Sequence, residues 1–127
     1  MEITVKEFEQ AELITINGRL DSVEAPRLAQ ALETANHRGK YQIVVDMSRL
    51  EYMSSAGFRA LGDAQHNSKR HHGEVLLVQV PDNVRDALEM VGFADYFHVF
   101  EDVNSALAFA ANLHADDSHK DDLPPLS

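Results

Sequence analysis

Apolar and polar positions alternate from the first residues of the chain: Ile3 and Val5 against Thr4 and Lys6, with Phe8 following. A period of two predicts a strand. Leu13-Ile14-Thr15-Ile16 predicts a second strand, closed by Asn17-Gly18. After Asp21-Ser22 the period changes, and Leu28, Ala31, Leu32 and Ala35 share one face of a helix. Pro26 is tolerated only near a first turn, which places the helix start around Ser22 to Ala25, and Gly39 marks its end. Tyr41-Gln42-Ile43-Val44-Val45 is a nearly continuous apolar run, suited to a strand covered on both faces. It is expected to end at Asp46, with a short loop after it. Phe58, Leu61, Ala64 and Gln65 trace a second helix from about Ser55 to Arg70. Gly73 precedes another buried run, Val75 to Val80. Val84, Ala87, Leu88 and Val91 then predict a third helix, capped by Asp82 and closed by Gly92. Phe97, Val99 and Phe100 suggest a last short strand. Asp102 caps a fourth helix that turns Val103, Ala106, Leu107 and Ala110 inward.

Strands alternate with helices in the order β-β-α-β-α-β-α-β-α, which predicts an α/β fold with a mostly parallel or mixed sheet and packed helices. The chain has 127 residues, a length that suits one domain, over residues 1–114. Residues 115–127 have no period and two prolines, so an acidic, disordered tail is expected there. The formal charge of −10 divides into −3 on that tail and −7 on the rest. An acidic body argues against direct nucleic-acid binding, which needs Lys and Arg against phosphate. There is no cysteine, which excludes disulfides and thiolate metal sites. The first residues already read as a strand, so no signal peptide is expected. No apolar run approaches the ~20 residues that span a bilayer, so no membrane insertion is expected either. A cytoplasmic protein is the expectation.

The candidate chemistry sits at the junctions where strands meet helices. Ser54 and Ser55 open the second helix, where free N–H groups and the helix dipole favour negative charge. Ser55 can be an N-cap, a nucleophile or a phosphate acceptor. As an acceptor it would gain about −1.5 to −2 charges in one step, and Arg59, four residues on, could pair with the phosphate. As a nucleophile it carries only half of the Gly-x-Ser-x-Gly elbow, because Met53 stands in the first glycine's place. Gly18 and Gly57 belong to no phosphate-binding glycine motif. His66, His71 and His72 fall near the end of the second helix, which favours cations, and a metal would need further ligands. No catalytic residue, cofactor or metal is therefore expected. Asp21 and Ser22 occupy another strand-to-helix junction. In an α/β sheet such loops share one edge, so Asp21 and Ser55 face the same way if the second and third strands are parallel.

Three segments carry a family resemblance: Gly18-Arg19-Leu20-Asp21, Ile43 to Ser48, and Tyr52-Met53-Ser54-Ser55-Ala56-Gly57-Phe58. Gly92-Phe93, Phe97 and Val99-Phe100 add a closing segment. The most specific part is Asp-x-Ser, five residues, then Ser-Ser-x-Gly. Residues 1–113 resemble the STAS domain, and within it the bacterial anti-sigma factor antagonists. The resemblance implies a binding switch rather than an enzyme. In such proteins an anti-sigma factor with serine kinase activity binds the unphosphorylated antagonist and phosphorylates it. Phosphorylation breaks the complex, and a serine phosphatase restores binding. Carried onto this chain, the acceptor is Ser55, and Asp21, Ser22, Ser54, Ser55, Ala56, Gly57 and Arg59 form the partner face. Many family members have Asp before the acceptor and Ser after it. Here those positions hold Ser54 and Ala56, which makes Ser54 the second candidate acceptor. STAS domains also serve as cytoplasmic accessories of membrane lipid or anion transport systems, which is the alternative function. A serine hydrolase is the remaining one.

Overall fold

The computed structural model describes residues 1–120, with side chains described through residue 112. In chain order the elements are β1 (Glu2–Glu7), β2 (Glu12–Leu20), α1 (Ala25–His37), β3 (Gln42–Met53), α2 (Ser55–Arg70), β4 (Glu74–Val78), α3 (Asp82–Met90), β5 (His98–Phe100) and α4 (Val103–Lys120). The expected α/β order is the observed one. Helix α4 runs on past residue 114, and residues 121–127 of the expected tail lie outside the described residues.

The five strands form one sheet in the order β1-β2-β3-β4-β5. The β1–β2 pair is antiparallel, and every later pair is parallel. Neighbouring residues of β3 point to opposite faces. Ile43 and Val45 join the larger core with Leu28, Leu32, Leu61, Val84 and Leu88 of α1, α2 and α3. Val44 joins a second core with Leu76, Val78 and Ala106, Leu107 and Ala110 of α4. The sheet is thus sandwiched, which is why the runs Ile43–Val45 of β3 and Val75–Val78 of β4 are apolar at every position.

Both β2 and β3 are longer than their patterns predict. Asn17-Gly18 does not close β2; Gly18 takes φ +104°, a bulge conformation open to glycine, and pairing continues to Leu20. Asp46 does not end β3. The register slips between Thr15 and Asn17 and again between Gly18 and Arg19, leaving extra residues on β3, and the pair ends at Leu20 opposite Met53. The Asp46 carboxylate accepts from Ser48 N at 2.9 Å inside the first bulge. Edges also depart from expectation: Val5 on the edge strand β1 is exposed. Asp82 is the first residue of α3 rather than its cap, since Pro81 holds the N-cap position without a side-chain bond.

Glu12 is fully buried near the start of β2, and Arg38 after α1 provides its counter-charge, with Glu7 3.6 Å from the same guanidinium. At the start of α4 the Asp102 carboxylate accepts from Ser105 N at 2.7 Å, as expected of a cap. That backbone bond holds the Asp102 carboxyl below the usual aspartate range. A depressed carboxyl contributes stability above its unfolded pKa and loses it as pH falls through the folded value. Wild type should therefore melt above Asp102→Ala at neutral pH, and the gap should close in acid, below the ordinary aspartate range.

Candidate functional site

Parallel pairing brings the carboxyl ends of β2 and β3 to one edge, and a hydrogen bond joins their loops. Ser54 N donates to Leu20 O at 2.8 Å. Ser54 is extended (φ −78°, ψ 167°) and is the N-cap of α2; its hydroxyl accepts from Gly57 N at 3.4 Å. The cap is therefore Ser54, not Ser55. Ser54 is only 7% exposed, because its side chain turns back under the first helical turn. Ser55 and Ala56 are exposed on that turn. Gly57 is buried, and a Cβ there would lie 2.6 Å from Met53 Cγ and 2.9 Å from Leu20 Cδ2. The absent side chain lets the turn sit down on the ends of both strands. The two hydroxyls thus divide two tasks: Ser54 satisfies a helix N–H, and Ser55 faces solvent.

Asp21 follows Leu20 directly. Its carboxylate accepts from Val23 N (3.1 Å) and Glu24 N (2.9 Å), and its carbonyl accepts from Ala25 N (2.9 Å). Asp21 therefore orders the turn ahead of α1, and Ser22 is an exposed residue of that turn, outside the helix. The same turn leaves Val23 81% exposed. Asp21 and Ser55 share the expected edge through the Leu20–Ser54 bond. Beside them the Arg19 guanidinium stacks 4.6 Å from the Tyr52 ring centroid, a pair that becomes visible once β2 and β3 are seen to extend this far.

Arg59 is exposed, one turn beyond Ser55. Both line a groove of about 420 Å³, whose other walls are Phe58, Gly62, Asp63, Val91, Phe93 and Tyr96. The sequence pattern missed this groove. Val91 continues the inward stripe of α3 by spacing, but the helix ends at Met90 and Val91 becomes its half-exposed C-cap.

Among the described residues, the histidine ring nitrogens that have partners bond away from this edge: His71 Nδ1 faces Asn67 O at 2.9 Å, and His98 faces Glu74. His71 also stacks on Tyr41, with ring centroids 4.0 Å apart. Among the described residues no group of three His, Cys, Asp or Glu side chains is placed to hold a metal ion. No described helix is long and apolar enough to cross a membrane.

This sheet order is that of a known family. The model of the STAS domain matches residues 2–106. The chain belongs to the STAS domain family. BtrV of Bordetella bronchiseptica, assigned as an anti-sigma factor antagonist, is 30% identical over 111 residues, covering 87% of this chain and 93% of BtrV. Phosphorylated SpoIIAA, a Bacillus cell fate determinant, superposes with a TM-score of 0.70 at 16% identity, over 85% of this chain and 98% of that one. A sulfate transporter family protein from Wolinella succinogenes superposes with a TM-score of 0.72 at 26% identity, over 85% and 90%. These STAS relatives share the fold that sets Ser54 and Ser55 at the sheet edge.

Proposed function

We propose that this STAS domain is an anti-sigma factor antagonist switched by phosphorylation of Ser55. The observation that carries the reading is the division of labour at the α2 start: Ser54 is buried as the cap, and Ser55 stands exposed on the sheet edge it shares with Asp21. Likeness to BtrV supports the role, and the phosphorylated form of SpoIIAA supports the chemistry.

A serine kinase that is itself the anti-sigma factor transfers the γ-phosphoryl group of ATP to Ser55 Oγ. ADP leaves, and the hydroxyl proton passes to a base on the kinase. The new dianion sits at a helix N-terminus one turn from Arg59, so it does not unfold α2. Its effect falls on the interface. A partner surface shaped for a small neutral hydroxyl must now desolvate and oppose a phosphate. A serine phosphatase resets the switch: water takes the phosphoryl group as inorganic phosphate. Asp21, Ser22, Ala56 and Gly57 contribute the rest of the partner face, and the chain performs no catalysis of its own.

The Wolinella likeness favours one other reading, an accessory domain of an anion or lipid transport system. Native affinity purification on the full chain separates the two. We expect an anti-sigma factor with serine kinase activity to co-purify. Recovery of a membrane transport complex in its place would reject the antagonist role.

A further inference from the structure

The apolar groove beside Ser55 is not needed to present a hydroxyl, yet it shares two walls with the acceptor turn. Phe58, Val91, Phe93 and Tyr96 supply its apolar lining, and Ser55 and Arg59 form the rim nearest the sheet edge. Gly62 keeps it shallow and firm. The Phe93 ring packs by its edge against Gly62, with Cζ 2.9 Å and Cε2 3.0 Å from where a Cβ would stand. At the end of α3, Met90 is 87% exposed and its C-cap Val91 is 49% exposed, apolar surface left in water. Along the α2 side the rim reads cation then anion, Arg59 then Asp63, and among the described residues neither takes part in an ion pair.

We propose that this groove is a docking slot for the anti-sigma factor, filled by an apolar side chain of that partner. An acidic residue beside that side chain meets Arg59, and a basic one meets Asp63. The proposal rests on the Ser55 reading and deepens it. Continuity decides the occupant: whatever seats in the groove lies against Ser55. Charge decides the flanking residues. The arrangement also gives the switch a local mechanism. Arg59 lies one helical turn from Ser55, close enough to pair with a phosphate there. It can serve the phosphate or the partner's carboxylate, not both. Phosphorylation removes the partner's counter-charge and leaves its carboxylate facing a dianion at the mouth of the slot.

Titration calorimetry tests this, using the purified anti-sigma factor kinase that phosphorylates the full chain. The variants are Val91→Lys, Arg59→Gln, Ser55→Asp and, on the distant edge strand β1, Val5→Lys. Val91→Lys puts a charge into the slot and should weaken binding at least about tenfold. Arg59→Gln should weaken it by about threefold to tenfold. Val5→Lys should stay within about twofold of wild type. Both groove substitutions are at exposed positions, and unchanged melting of each variant shows that the loss is not unfolding. Wild-type affinity in Val91→Lys or Arg59→Gln, with Ser55→Asp still blocking the complex, overturns the slot and leaves the Ser55 reading standing. Wild-type affinity in Ser55→Asp as well overturns both.

Discussion

Ser55→Asp is expected to weaken binding to the anti-sigma factor by about a hundredfold, a penalty of roughly 3 kcal/mol. Ser55→Ala should bind whether or not ATP is present. Three features combine to give so large an effect from one exposed side chain. Ser55 is the first residue of α2, so a carboxylate there gains from the helix N-terminus and is not expelled by unfolding. Ser54 and Gly57 pin the turn to Leu20 and Met53, so the charge cannot swing away from the interface. The partner must then desolvate the charge or leave a gap, and either costs more than the hydroxyl did. Competition binding with labelled wild type measures the ratio. An Asp variant within about threefold of wild type would contradict an electrostatic switch at this position.

Gly73→Ala is expected to be the most damaging small substitution, costing on the order of 3 kcal/mol and lowering the melting temperature by about 10 °C. Gly73 joins α2 to β4 and is buried, with its N–H bonded to Ser68 O at 2.8 Å. A Cβ there would lie 2.1 Å from the Tyr41 carbonyl oxygen and 2.5 Å from its carbonyl carbon. Those atoms are backbone, so no rotamer change relieves the clash. The adjoining Gln42–Glu74 pair begins the β3–β4 ladder, so the strain spreads into the sheet. Gly39→Ala is the control. Gly39 has φ +79° but open space around it, so only the backbone preference is lost, about 1 kcal/mol. Equal losses in thermal denaturation of the two variants would show that steric contact at Tyr41 is not what matters.

The fold was legible because its sheet is covered on both faces. Ile43, Val44 and Val45 are all apolar, since alternate residues enter different cores, and helices with clear stripes separate the strands. What was not legible comes from bulges. Two register shifts place Met47, Leu50 and Met53 in the core at intervals of three, a spacing that the strand period of two does not describe. The second half of β3 therefore reads as loop. The position of Ser55 at the start of α2 could be read, but its freedom from capping could not, because Ser54 and Ser55 are equally good cap residues by type. Only the backbone direction leaving β3 decides which hydroxyl turns inward. The groove was hidden for a related reason. Val91 fits the α3 stripe, and nothing local in the pattern says that the helix ends one residue earlier.

Site-mapped mass spectrometry of the full chain, after incubation with its anti-sigma factor kinase and ATP, tests the central claim most directly. One phosphate is predicted, on Ser55, and it should be absent from Ser55→Ala and retained in Ser54→Ala. Phosphate on Ser54, or undiminished incorporation into Ser55→Ala, would contradict the assignment of the exposed hydroxyl as the switch.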